Sequence, residues 1–82
     1  MKVRVHLFAR LRDLAGAEWI EVELKEAATI ADLRRVLAES SSALAPLLSR
    51  SAVAMNEDFA EDDQRIPENA TLAVLPPVSG GS

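Results

Sequence analysis

The chain has 82 residues, 49% of them apolar and 27% charged, with a formal net charge of −4, which suits one small globular domain and leaves no room for a second. The acidic balance argues against nucleic acid as a partner, because that role needs a basic face to displace counterions; a basic protein surface is the more natural complement. Without cysteine and with one histidine, the chain offers no disulfide, no thiolate or multi-histidine metal site and no cysteine nucleophile, and no run approaches the roughly 18 apolar residues of a membrane span.

Met1 to His6 alternates charge with apolarity instead of building a signal-peptide apolar region, so the expected location is the cytoplasm. Lys2 to Phe8 has the period-2 pattern of a strand, with Val3, Val5 and Leu7 on one face and Arg4, His6 and Phe8 on the other. Arg10 to Ala15 reads as a short helical turn with Leu11 and Leu14 on one side, closed by Gly16 as a C-cap. Glu18 to Leu24 is a second strand, paired with the first as a hairpin, with Ile20, Val22 and Leu24 inward and Glu21 and Glu23 outward. Thr29 and Asp32 match a capping box, Asp replacing the usual Glu. Ile30, Leu33, Val36 and Leu37 then form the apolar stripe of the principal helix, set against Asp32, Arg34, Arg35 and Glu39.

Ser40-Ser41-Ser42 ends that helix, and Ala43 to Leu48 is a loop or short helix supplying core leucines. Ala52 to Met55 is a third strand and Asn56-Glu57-Asp58 a turn by composition. Phe59 to Ile66 is a short edge strand and loop in which Glu61, Asp62 and Asp63 are solvated, and Thr71 to Leu75 is the final strand. One helix between a hairpin and later strands, with no repeated βαβ unit, predicts an α+β class. The last strand is expected beside the first, in parallel, which a right-handed crossover permits.

Pro76-Pro77 cannot donate to a sheet ladder, so the chain leaves the sheet there along a stiff extended path. Gly80-Gly81 lack Cβ atoms and suit a channel too narrow for other residues, and residues 76–82 fully extended reach about 20 Å. Such a tail suits insertion into a partner's active site; the alternative is a frayed terminus. Leu75 and Val78, joined by Phe8 from the adjacent strand, are the expected apolar contacts with that partner, each otherwise serving the core.

No side-chain catalytic set stands out. His6 reads as a surface or packing residue, and the acidic run from Glu57 to Asp63 lacks the spacing of a calcium loop. Trp19 is expected to pack beneath the Arg10 to Gly16 turn, the alternative being an exposed contact anchor. Arg4, Arg10 and Arg12 read as solvated surface, or as a contact for an activating enzyme. What remains for chemistry is the backbone carboxylate: a terminal glycine carboxylate is unhindered and can be adenylylated, then attacked by sulfur.

Phe8 to Gly16, Thr29 to Arg34, Val53 to Asn56 and, most specifically, Leu75-Pro76-Pro77-Val78-Ser79-Gly80-Gly81 resemble the small subunits of molybdopterin synthase, sulfur carriers of the ubiquitin-like β-grasp family. The resemblance implies a β-grasp fold over residues 1–75, with a mixed sheet of four to five strands and one main helix packed across it, followed by an extended tail over 76–82. It implies that Gly81, preceded by Gly80, is the reacting end, and that Phe8, Leu75, Pro76, Pro77, Val78 and Ser79 meet the partner. No cofactor is bound; an ATP-dependent adenylyltransferase activates the carboxylate and a sulfur donor protein converts it to a thiocarboxylate. The tail then enters the large subunit, where the sulfur goes to cyclic pyranopterin monophosphate to build the molybdopterin dithiolene. The chain is thus a non-catalytic sulfur-donating subunit, and the implied assembly is a heterotetramer of two large and two small subunits.

One departure stands out: the family ends at the second glycine, whereas here Ser82 follows Gly81. It displaces the terminal carboxylate by about 3.3 to 3.6 Å, so Ser82 is either removed to expose Gly81 or foreign to the natural chain. Rival readings are a sulfur carrier for thiazole synthesis, a ubiquitin-like protein modifier trimmed at Ser82, and an interaction domain with a disordered tail.

Overall fold

The computed structural model describes residues 1–77, and Val78 to Ser82 lie outside the described residues. The alternation of the first segment produces β1 (Lys2–Leu7), in which Val3, Val5 and Leu7 are buried. Helix α1 (Ala9–Ala15) buries Leu11 and ends at Gly16, whose φ of 72° lets its N–H reach the Arg12 carbonyl. Glycine enters this left-handed region without Cβ strain. Strand β2 (Trp19–Glu23) pairs antiparallel with β1, with Val22 opposite Val3. Val22 and Leu24 are buried, whereas Ile20 is only half-buried.

Helix α2 (Ile30–Ser40) opens on the expected capping box: the Asp32 N–H donates to Thr29 Oγ1 at 3.3 Å and the Thr29 N–H donates to the Asp32 carboxylate at 2.9 Å. Ile30, Leu33 and Leu37 face the core. The bond from the Thr29 backbone, aided by the Thr29 hydroxyl and the nearby Arg35 and Lys25, holds the Asp32 carboxyl below the ordinary aspartate range. A depressed carboxyl contributes stability that is present above its unfolded value and lost as pH falls through the folded one. Denaturant titrations between about pH 4 and pH 2 should therefore show wild-type protein losing stability that Asp32→Asn, already without the charge, does not lose.

Ala43 to Leu48 resolves into α3 (Ala45–Leu48), which buries Leu48, with Leu44 buried just ahead of it. Strands β3 (Ala52–Met55) and β4 (Asp58–Ala60) form a hairpin around Asn56-Glu57, both at positive φ (52° and 75°). The turn is thus the two-residue kind whose twist matches the strands, and β4 begins one residue earlier than composition suggested. Strand β5 (Leu72–Leu75) lies in the middle of a sheet ordered β2-β1-β5-β3-β4, parallel to β1 and antiparallel to β3. The core fills the space between the inner sheet face and α2. Five strands, a central parallel pair and one long helix make this the β-grasp, ubiquitin-like arrangement.

One connection departs from the pattern read along the chain. Arg34, expected on the solvent side of α2, reaches with Nη1 to the carbonyls of Leu48 and Ser51, and with Nε to Asp62 at 2.8 Å. Asp62, expected to be solvated, closes the clamp while staying exposed, so the ion pair itself adds little. The two carbonyls matter more, because they lie partly buried at the end of α3 and the start of β3. Replacing Arg34 with Met should cost about 2 kcal/mol by leaving them unpaired, seen as a thermal midpoint about 10 °C lower.

Candidate functional site: the tail base and the outer sheet face

The tail starts from the central strand of the sheet. β5 has partners on both sides, Leu7 opposite Val74 on β1 and Ala52 opposite Leu75 on β3. The next residues, Pro76 and Pro77, have no N–H to give, so the ladder stops at Leu75. Pro76 is half-buried and Pro77 exposed. The expected contacts Val78 and Ser79, the expected reacting end Gly81 and the Gly80 before it lie outside the described residues, as does Ser82.

Around the tail base the outer face of the sheet is apolar. The β1–β5 register ends at the Leu7–Val74 pair, and one residue further along each chain come Phe8 and Leu75. Phe8 is 45% exposed at the N-cap of α1, held extended just where Ala9 turns the chain at a φ of 51°. Leu75 is half-buried, next along β5 to the inward-facing Val74 and so on the outer face. The register also aligns a second row that crosses all five strands: Trp19, His6, Ala73, Ala54 and Phe59. None of these five is buried.

Phe59 is the residue that sequence reasoning missed. It is 75% exposed, the most exposed of three large apolar side chains on the surface among the described residues, the others being Phe8 and Trp19. The signal was present: a two-residue turn at Asn56-Glu57 sets Phe59 opposite Ala54, and since Val53 points inward, Ala54 and Phe59 point outward. Trp19 is not enclosed beneath α1 as expected. It stays 43% exposed, with the Arg4 guanidinium 4.0 Å from its ring centroid, a cation–π contact. Arg4 is therefore set apart from the exposed Arg10 and Arg12 on α1.

Among the described residues three large apolar groups are exposed, with alanines between two of them, and exposed apolar groups of this kind mark candidate contact surfaces. The helix side offers no rival: a groove of about 360 Å³ between the end of β2 and α2 is lined by Glu23, Lys25, Asp32 and Arg35 among others. Three of its charged side chains are already engaged, Glu23 with the N-terminal ammonium at 2.8 Å and Asp32 in the capping box and with Arg35 at 3.4 Å.

The model of the ThiS family matches residues 5–81, from β1 through both glycines of the tail. The chain belongs to the ThiS family. Within it, the molybdopterin synthase sulfur carrier subunit of Drosophila yakuba is 34% identical to this ThiS-family chain over 84 residues, covering 99% of the chain and 92% of the relative. The subunit of the same name from Synechococcus elongatus is 42% identical over 66 residues, 73% of each. Among solved structures, SAMP1 from Haloferax volcanii superposes with a TM-score of 0.86 at 27% identity, covering 99% of this chain and all 100% of its own. A putative molybdopterin converting factor subunit 1 from Pyrococcus furiosus gives 0.84 at 28% identity, covering 95% and 99%. The ThiS-family match thus covers nearly the whole chain, and among the described residues no helix is long and apolar enough to cross a membrane.

Proposed function

We propose that the protein is a sulfur carrier for molybdenum cofactor synthesis, a folded scaffold of residues 1–75 presenting a tail of 76–82 whose Gly81, once terminal, is the reacting group. The observation that carries this reading is the position of Leu75: the central strand ends there, beside Phe8 and on the apolar outer face, so a partner covering that face receives the tail. The Pro-Pro-Val-Ser-Gly-Gly ending and the names of the relatives support the same reading.

The Gly81 carboxylate attacks the α-phosphate of ATP in a separate adenylyltransferase, forming an acyl adenylate and releasing pyrophosphate. Sulfur from a donor protein displaces AMP and leaves a thiocarboxylate. The tail then enters the large subunit of molybdopterin synthase, docked through Phe8, Leu75, Pro76, Pro77, Val78 and Ser79, to which Phe59 is added here. There the sulfur passes to cyclic pyranopterin monophosphate, and the carboxylate is regenerated. The chain supplies no catalytic side chain and holds no resident cofactor. It works in the cytoplasm, in a heterotetramer of two large and two small subunits.

The likeness to SAMP1, a small archaeal modifier protein by name, favours one second reading, in which a lysine amine attacks the same acyl adenylate and the chain becomes a protein modifier. Both readings meet in one experiment. The form ending at Gly81 is incubated with activating enzyme, ATP and a sulfur source, then with the large subunit and the pterin precursor, and followed by intact-mass spectrometry. The carrier reading expects an oxygen-to-sulfur exchange that reverts on precursor addition. Failure to revert rejects it, and lysine-linked conjugates in its place support the modifier.

A further inference from the structure

The row that crosses the outer face is apolar except at its second position, on β1. His6 sits there, half-buried, between Trp19 on β2 and Ala73 on β5. Two residues away in the chain stand Arg4 on the same strand and Phe8 just beyond its end, at the N-cap of α1. Among the described residues no hydrogen bond holds its ring, and its nitrogens are not shut off from solvent without a partner. A partner that covers Trp19, Ala73 and Phe59 must also cover His6. An imidazole buried without a hydrogen bond opposes association, so the covering surface has to bring one.

The charged groups around His6 decide which form is covered. On β1 the neighbour is Arg4, whose guanidinium lies over Trp19; on β2 the only charged group of that face near it is Glu21, which stands opposite Arg4 rather than His6. β5 presents Ala73 and Leu75, and β3 beyond it Ala52 and Ala54. Among the described residues no carboxylate pairs with the ring, and a second cation beside Arg4 on an apolar surface being dehydrated is unfavourable.

We propose that His6 is the polar anchor of the docking face: its neutral ring accepts a hydrogen bond from an N–H or O–H of the large subunit, and protonation of the ring releases the pair. The inference rests on the outer face being the docking face. It adds a specificity element to an otherwise greasy surface, since a partner lacking the donor leaves the ring unpaired. It also makes docking sensitive to protons, because the imidazolium has no acceptor left.

The test is isothermal titration calorimetry of the Gly81-ended protein with the cognate large subunit between about pH 8 and pH 5.5, the window in which histidine changes charge. Wild-type affinity should fall by about tenfold or more towards the acid end, the loss of one hydrogen bond to a buried group. His6→Leu should bind about tenfold more weakly at the alkaline end with a flat profile. His6→Gln, which keeps an acceptor and cannot titrate, should lose less than His6→Leu and also be flat. An acid-dependent loss that persists in His6→Gln, or a His6→Leu protein that binds as tightly as wild type, overturns the proposal. Phe59→Asp separates the two levels: if it too binds normally, the docking face itself is wrong, and if it alone fails to bind, only the role of His6 is.

Discussion

A protein ending at Gly81 is expected to accept sulfur from its activating system, while the 82-residue form with Ser82 in place is expected to remain unmodified. Ser82 adds one residue, moving the carboxylate by about 3.3 to 3.6 Å, and brings a side chain into a channel suited to glycine. Misplacement of a reacting atom by about 1 Å already costs about a hundredfold in rate, so adenylylation of the longer form should fall by at least that much. Deleting Gly81 together with Ser82 shortens the tail by the same step and should be equally damaging. Intact mass after incubation with activating enzyme, ATP and sulfur source reads both results, and circular dichroism should show the fold unchanged. Equal sulfur uptake by the 82-residue and Gly81-ended forms would falsify the assignment of the reacting end.

The second large effect is expected from a residue far from that end in sequence. Phe59→Asp should weaken association with the large subunit by about a hundredfold or more, because a buried aromatic anchor is lost and a carboxylate is dehydrated in its place. Phe59 is 75% exposed on an edge strand of three residues, so the thermal midpoint should hardly move. That contrast distinguishes a docking role from a packing role. Leu75→Asp should also block docking, but Leu75 is half-buried on the central strand, so it should lower the midpoint as well. Unimpaired binding by Phe59→Asp would move the interface off the outer face.

Much of this architecture could be read directly along the chain. Val3, Val5 and Leu7 record by alternation which side of β1 is buried, Thr29 and Asp32 mark the start of α2, and Pro76-Pro77 mark where the sheet ends. These are local signals, because backbone geometry repeats every two residues in a strand and every 3.6 in a helix. Two aromatics, Trp19 expected beneath α1 and Phe59 given no role, show the limit of such signals. Alternation says that Trp19 and Phe59 lie opposite the core, but not whether something else folds over them.

The sequence by itself therefore determined the element types, their inward faces and the point at which the chain leaves the sheet, Pro76-Pro77. The tertiary structure decided which strands became neighbours: the order β2-β1-β5-β3-β4 brings Trp19, His6, Ala73, Ala54 and Phe59 into one row, and Arg34 across to Leu48 and Ser51. Those partners are set by pairing between segments far apart in the chain. Burial periodicity constrains each segment's orientation and is silent about the segment that will lie beside it.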